Sequence, residues 1–192
     1  MSMKPLTLKQ KEKIKNYIKN KIDISDLIKG YDIKGMDLSR AIISKFDRPG
    51  DNMSGTIFAN AIIGTTGEIT NLSRCNFVNC SFQNARFLGN IWMRYCDVRN
   101  ANMQGTHIPH LDFRFADFRG VNFCNGCFPI GSIANKRGIG AKFSDNLFMD
   151  IAFGWELPIL SPEQVKELMK IETVKPIIEK MLADNKQAAQ EV

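Results

Sequence analysis

The chain has little of what catalysis usually requires. It contains only two histidines, His107 and His110, which lie in one short stretch. It has no GxxxxGK(S/T) phosphate-binding motif and no GxGxxG motif, and its spacing supports no Ser-His-Asp or Cys-His arrangement. We therefore expect no enzyme activity, no catalytic residue and no bound cofactor.

The sequence also lacks a long apolar run. No stretch approaches the roughly 20 residues that a membrane-spanning helix needs. The N-terminus, MSMKPLTLKQKEKIK, is basic but has neither the apolar stretch nor the small-residue cleavage site of a secretory signal. These absences predict a cytoplasmic protein without a membrane anchor.

Cysteine usage gives no sign of a disulfide framework or a metal site. The chain has five cysteines, an odd number, and Cys124 and Cys127 form a lone CxxC. Because neither a second CxxC nor a paired histidine accompanies it, we predict no zinc site and no other metal site.

The central part of the chain lacks lysine and glutamate altogether. Between Thr70 and Ile130 all of the positive charge is arginine, whereas lysines lie in the end segments and at the margins of this stretch. The formal net charge is +6. Lysines on terminal helices are typical of a solvated face, so the arginines are the more informative charges.

This same stretch repeats every five residues. The third place of each unit is large and apolar, and the first place is usually small. A fixed short period is typical of a solenoid, in which each unit buries its apolar residue against its neighbours. The large places are Phe77, Phe82, Phe87, Trp92, Val98, Met103, Ile108, Phe113, Phe118, Phe123 and Phe128.

The period extends over about residues 26–155, with one residue lost near Glu68 and one gained near Tyr95. It fits neither a strand nor a helix, whose side chains repeat at 2 and about 3.6 residues. Four turns of the chain would close one square coil of 20 residues, giving about six coils separated by about 4.8 Å. On this count Met53 stacks on Leu72, and Ile63 on Phe82.

Units such as ADFRG, ANMQG and ARFLG resemble the A(D/N)LXX pattern of the pentapeptide-repeat proteins. The resemblance implies an all-β solenoid, a right-handed quadrilateral parallel β-helix with α-helical N- and C-terminal segments. We expect an N-terminal helical cap over 1–25, the β-helix over 26–155 and a C-terminal helical segment over 156–192.

Both ends carry signals for helices. Thr7 and Gln10 predict a capping box for a helix over about 8–22. Near the other end, Ser161 and Pro162 predict the start of a helix. In the pentapeptide-repeat family a C-terminal helix often forms a two-fold dimer interface, so this segment is either a cap or a homodimer contact. Its apolar face comprises Val165, Leu168, Met169, Ile177, Ile178 and Met181.

Arginine is the patterned surface feature. A first set with 20-residue spacing predicts one row along the rod, and a second set predicts a row one face further round. Nearby aspartates suggest an Arg–Asp surface lattice, and the alternative is a ridge that binds an anion or an acidic partner. The first set is Arg74, Arg94 and Arg114, and the second is Arg99 and Arg119.

Three functions remain open on these grounds. The first is a non-enzymatic protein-binding or structural module, with a protein partner that the sequence does not identify. The second follows from the resemblance: some pentapeptide-repeat proteins mimic DNA and bind DNA gyrase, although that mimicry relies on an acidic rod. The third is nucleic-acid or anion binding by the arginines. We expect all the Phe residues to face inward, which argues against nucleic-acid binding because it leaves no exposed aromatic side chains for stacking.

Overall fold

The computed structural model describes residues 3–122 together with Lys175 and Glu179. The chain begins with helices α1 (Leu8–Lys19) and α2 (Ser25–Ile28). Strands β1 (Ile42–Ile43), β2 (Ile62–Asn71), β3 (Arg86–Trp92) and β4 (His110–Asp112) then form one parallel sheet in chain order. Isolated parallel bridges join successive coils on the other sides. The protein is therefore a parallel β-helix.

The five-residue unit produces this fold because its first and third places both point inward. In the unit that begins at Ala116, both Ala116 and Phe118 are buried. The rings of Phe58 and Phe82 stack on adjacent coils with centroids 5.0 Å apart. Burying a side chain of this size contributes about 1.5–3 kcal/mol, so the stacked units share one continuous core.

The inward third places form four columns along the axis of the rod. Backbone bridges and hydrogen bonds between coils define their registers. The columns are Ile33, Met53, Phe77, Val98 and Phe118; Leu38, Phe58, Phe82 and Met103; Ile24, Ile43, Ile63, Phe87 and Ile108; and Ile28, Arg48, Leu72, Met93 and Phe113.

The structure corrects how the early coils join the later ones. Asn52 bridges Asn76, so Met53 stacks on Phe77 rather than on Leu72. Ile63 pairs with Phe87, so it does not stack on Phe82. The sequence-based count was wrong because it treated residues 66–69 as a unit shortened by one residue. Residues 66–69 are instead an exposed insertion, marked by a register shift between Gly64 and Ile69.

A second correction concerns the tryptophan in β3. Trp92 was expected to point inward, but it is half-buried, whereas Ile91 and Met93 on either side are fully buried. The extra residue therefore lies between Phe87 and Ile91 rather than near Tyr95. Two inward apolar side chains bury more apolar surface than one inward tryptophan would in this place, which explains the register.

The N-terminal helix closes the first coil. The Thr7 side chain accepts from the Gln10 backbone N–H, and the Gln10 side chain accepts from the Thr7 backbone N–H, so the capping box is confirmed. Ile14 is buried against the rod. The helix ends at Lys19 rather than at residue 22, because the backbone of Lys21 turns into the left-handed region at φ 55°.

Several expectations lie outside the described residues. These are the repeat from residue 123 to residue 155, the CxxC at Cys124 and Cys127, and the apolar face from Val165 to Met181. Lys175 and Glu179 are helical, with their charged groups 3.8 Å apart. Within the described part of the chain, no helix has both the length and the apolar character to cross a bilayer.

Candidate functional site

The described coils contain no grouping suited to catalysis. Across residues 3–122, no cluster of three His, Cys, Asp or Glu side chains could hold a metal ion. His107 and His110 are both exposed. Burial raises the pKa of the Cys75 and Cys80 thiols to about 12, which leaves them protonated and poorly nucleophilic at neutral pH.

The corners of the coils carry the most informative surface residues. At most corners the last residue of the unit has a positive φ and is glycine or asparagine, the residues that adopt this conformation most readily. Four corners hold other residues in the same conformation. These are Arg40 (φ 65°), Arg74 (φ 63°), Tyr95 (φ 57°) and Phe115 (φ 58°).

Three of these four side chains lie one above another, and we call Arg74, Tyr95 and Phe115 the corner column. The Tyr95 and Phe115 rings are stacked, with centroids 5.0 Å apart and planes 11° from parallel. The Arg74 guanidinium lies 5.8 Å from the centroid of the Tyr95 ring. Tyr95 is 56% exposed and Phe115 is 49% exposed, so the column is a surface feature.

Backbone strain opposes the aromatic residues of the corner column. A non-glycine residue in the left-handed region costs about 1–2 kcal/mol. The stack of Tyr95 on Phe115 contributes about 0.5–1.5 kcal/mol beyond the apolar area that the two half-exposed rings bury. Because asparagine or glycine would hold both corners with less strain, the gain from the two rings is largely offset, and they give the fold little net stability over the residues found at most other corners.

The predicted arginine ridge is largely neutralised by aspartate. Arg94 and Arg114 both bind Asp112, with nitrogen–oxygen distances of 2.7 and 2.8 Å. Burial opposes the ionisation of Asp112, but the hydrogen bonds from Arg114 and Arg94 outweigh it, so the pKa of this carboxyl is lowered. Arg94 also lies over the Trp92 ring, 4.4 Å from its centroid.

The second set of arginines is paired in the same way. Arg99 donates to both carboxylate oxygens of Asp97, at 2.8 and 2.7 Å. Arg119 binds Asp117 at 2.5 Å. The hydrogen bond from each arginine lowers the pKa of its aspartate. The geometry therefore has the form of an Arg–Asp lattice, in which these four arginines already have carboxylate partners.

The structure does not place Arg74 in the row with Arg94 and Arg114. The Arg74 N–H donates to the Arg94 carbonyl and the Tyr95 N–H to the Arg114 carbonyl, which aligns Arg74 with Tyr95 and Phe115 instead. Arg74 was assigned to the row from its 20-residue spacing, but the extra residue before Ile91 shifts the register by one place.

The exposed aromatics were missed from the sequence. All Phe residues were expected to face inward, and Phe115 contradicts this. A signal was present: Tyr95 and Phe115 each precede the small first residue of a unit, Cys96 and Ala116, where most other units have glycine or asparagine. The misplaced extra residue hid this because it left Tyr95 outside any unit.

Comparisons with known proteins place these coils in context. A family model described as "Pentapeptide repeats" matches residues 93–125 with eight copies. A pentapeptide repeat protein from the Arabidopsis thaliana thylakoid lumen is similar at 18% identity and a TM-score of 0.30, with 77% of this chain and 80% of that chain covered. No curated protein matches the sequence significantly.

Two solved structures of QnrB1, described as a plasmid-mediated fluoroquinolone resistance protein, are also similar. One shows 26% identity and a TM-score of 0.25, with 47% of this chain covered; the chain spans less than half, 42%, of that protein. The other shows 13% identity and a TM-score of 0.21, with 72% of this chain and 90% of that chain covered.

Proposed function

We propose, from the premise that this chain is a pentapeptide-repeat protein, that it is a non-enzymatic binding module whose rod presents the corner column to a partner protein. The observation that carries the proposal is the exposed stack of Tyr95 on Phe115, held at corners where the backbone is strained. Strained residues that persist without a benefit to stability are typical of functional positions.

A protein partner suits this surface better than a nucleic acid does. Tyrosine and arginine are enriched among the residues that dominate binding energy in protein interfaces. Base stacking needs a free ring face, whereas the Tyr95 ring lies between Arg74 and Phe115. The neighbouring Arg94 and Arg114 are already bound to Asp112, which reduces their attraction for phosphate.

Site-specific photocrosslinking tests this proposal. Benzoylphenylalanine at position 115 replaces one aromatic residue with another, and the same group at the exposed Asn79 corner is the matched control. In cells that naturally produce the protein, we expect one discrete crosslinked partner from position 115 and none from position 79. Equal crosslinking from both corners, or none from position 115, would count against a partner at the corner column.

The charge of the described coils does not support DNA mimicry. Between Phe46 and Asn122 there are seven arginines, no lysines and six acidic residues, so this part of the rod is not the acidic surface that mimicry requires. We therefore expect no effect of the protein on DNA supercoiling by gyrase. Protection of gyrase from an inhibitor, or inhibition of gyrase, would restore the gyrase-binding hypothesis.

The finer architecture is part of the proposal. We propose that the coils are right-handed and quadrilateral, that there are about six of them ending near Trp155, and that the C-terminal helical segment joins two copies.

Light scattering of the full chain tests whether the C-terminal segment forms a dimer. Leu168→Glu with Ile178→Glu should convert a dimer to a monomer, whereas Lys170→Glu should leave it unchanged.

A further inference from the structure

The net charge of the protein is concentrated at its N-terminal end. The first 45 residues hold 11 of the 26 lysines and arginines but only five of the 20 acidic residues. This difference equals the formal net charge of +6, so the remaining residues are balanced overall. Helix α1 and the first coils therefore form the basic end of the rod.

A groove of about 920 Å³ opens at this basic end, and we call it the basic groove. Lys15, Ile18 and Lys19 of α1 contribute to its lining. The coils contribute Ile42 and Ile62, which are paired neighbours on β1 and β2. The basic groove thus combines ammonium groups with an aliphatic surface.

The positive charge of the basic groove is only partly compensated. The Lys15 ammonium is 3.1 Å from the Glu12 carboxylate, but both side chains are more than two-thirds exposed and such a pair is weak. Asp37 supplies one negative charge. Lys19, Lys21 and Arg40 also line the groove, and within residues 3–122 none of the three is within ion-pair distance of a carboxylate.

Two of these cations stand on strained backbone. Arg40 has φ 65°, in the left-handed region where most other corners have glycine or asparagine, and Lys21, just after the end of α1, has φ 55°. Non-glycine residues in this conformation cost stability, and such strain clusters at ligand-binding sites. Their shared place at one groove argues for a bound anionic group.

We infer that the basic groove binds an extended segment of a partner protein in which carboxylate and aliphatic side chains alternate. Lys15 and Lys19 are one helical turn apart, about 6 Å along the axis. Alternate side chains of an extended segment are about 6.6 Å apart on one face. Carboxylates on that face match the lysines, and the opposite face presents aliphatic groups to Ile42 and Ile62.

The aliphatic surface is what distinguishes this partner from a nucleic acid. A phosphate backbone would satisfy the lysines and Arg40 but would bury nothing against Ile42 and Ile62. Nucleic-acid binding also depends on charge alone when no aromatic side chain is available for stacking, and no aromatic residue lines the basic groove. The inference is independent of the corner column, which involves different residues.

Fluorescence anisotropy with defined probes tests the inference on the full-length protein. The main probe is a labelled octapeptide of alternating Glu and Leu. An octapeptide of alternating Glu and Ser has the same charge without the aliphatic groups, and a labelled oligothymidylate supplies phosphates. We expect the Glu-Leu probe to bind at least about tenfold more tightly than either of the others.

Two pairs of substitutions locate the binding. Lys15→Gln with Lys19→Gln should weaken the Glu-Leu probe about tenfold, as expected for two lost ionic contacts. Lys9→Gln with Lys11→Gln removes the same charge from the same helix outside the groove and should have little effect. Ile62→Thr keeps a β-branched residue in the strand but should weaken the Glu-Leu probe and leave the Glu-Ser probe unchanged.

Three results would overturn the inference. The first is absence of binding by the Glu-Leu probe. The second is equal weakening by the two lysine pairs, which would show diffuse attraction to the whole basic end. The third is oligothymidylate binding as tight as that of Glu-Leu together with no effect of Ile62→Thr, which would indicate a nucleic acid as the ligand.

Discussion

Arg48 occupies an inward third place of its unit, whereas the other third places in the four described columns hold apolar side chains. It is buried between Ile28 and Leu72, and its Nε atom donates to Asp51 at 2.6 Å. Its other nitrogens donate to the carbonyls of Ile28 and Tyr31. Arg48 therefore fastens the end of α2 and the turn after it to the next coil.

Arg48→Ala should destabilise the protein by about 3–5 kcal/mol, because it leaves the largely buried Asp51 carboxylate without its partner. The measurement is the free energy of unfolding in urea. Arg48→Leu combined with Asp51→Asn should recover much of this loss, since a buried ion pair is often replaceable by a neutral, well-packed pair. If Arg48→Ala costs no more than the double variant, the pair is unimportant.

Asp112 should make the stability of the protein depend on pH. Its pKa is lowered in the folded protein because the hydrogen bonds from Arg114 and Arg94 outweigh the effect of burial. A lowered pKa means that the stabilisation is present above the unfolded-state pKa of about 4 and is lost as the pH falls through the folded value. The acid limb of the stability curve should therefore contain a contribution from Asp112.

Asp112→Asn tests this contribution. At pH 7 it should lower the free energy of unfolding by about 1–2 kcal/mol, a modest value because both arginines are partly exposed and screened by solvent. The difference from the parent protein should shrink as the pH is lowered from 5 to about 2. A difference that is the same at every pH would show that ionisation of Asp112 is not its source.

The insertion within β2, at residues 66–69, packs closely against Gly89 of β3. A Cβ atom at this position would collide with the backbone carbonyls of Thr65 and Glu68. Gly67, within the insertion, has a φ of 82°, similar to the 78° of Gly89, but a Cβ atom on Gly67 would lie in open space. Alanine substitutions at the two glycines therefore distinguish the cost of a steric collision from the cost of backbone strain.

Gly89→Ala should cost more stability than Gly67→Ala by about 1–3 kcal/mol, the usual penalty of overpacking. Gly67→Ala should cost about 1–2 kcal/mol from backbone strain alone. The comparison is made by thermal and urea unfolding of both variants. Equal losses would show that the insertion moves aside freely and is not packed against β3.

Sequence periodicity predicted the coils of the β-helix better than it predicted the register between successive coils. The five-residue period identified the β-helix because the first and third places both face the core, and local chemistry identified the cap at Thr7 and Gln10. The period could not locate the insertion at residues 66–69, since Ile69 looks like an inward residue yet is 52% exposed. Nor could it choose Met93 over Trp92, because both are large and apolar.

The candidate binding surfaces were less predictable for the same reason. Arg94, Arg99, Arg114 and Arg119 were placed on the surface beside aspartates, as the structure has them. Predicting the corner column would have required the correct register between coils, which the sequence alone did not provide. Predicting the basic groove would have required the position of α1 on the coils, which no local sequence pattern indicates.

On the scale of the whole molecule, the rod separates three kinds of surface. The coils carry a neutralised Arg–Asp lattice, one corner carries exposed aromatics, and the N-terminal end carries the excess positive charge. A solenoid permits this separation because each unit packs only against its neighbours. The surfaces can therefore differ from coil to coil while the core remains continuous.

The most direct test of whether the corner column serves binding rather than folding is a measurement on the double variant Tyr95→Asn with Phe115→Asn. The quantity measured is its free energy of unfolding. The relief of backbone strain and the loss of the aromatic stack should nearly cancel, so we predict a value within about 1 kcal/mol of the parent protein. Phe82→Ala is the reference for a residue that the fold needs and should lose about 3–5 kcal/mol. A loss of that size in the double variant would contradict the account.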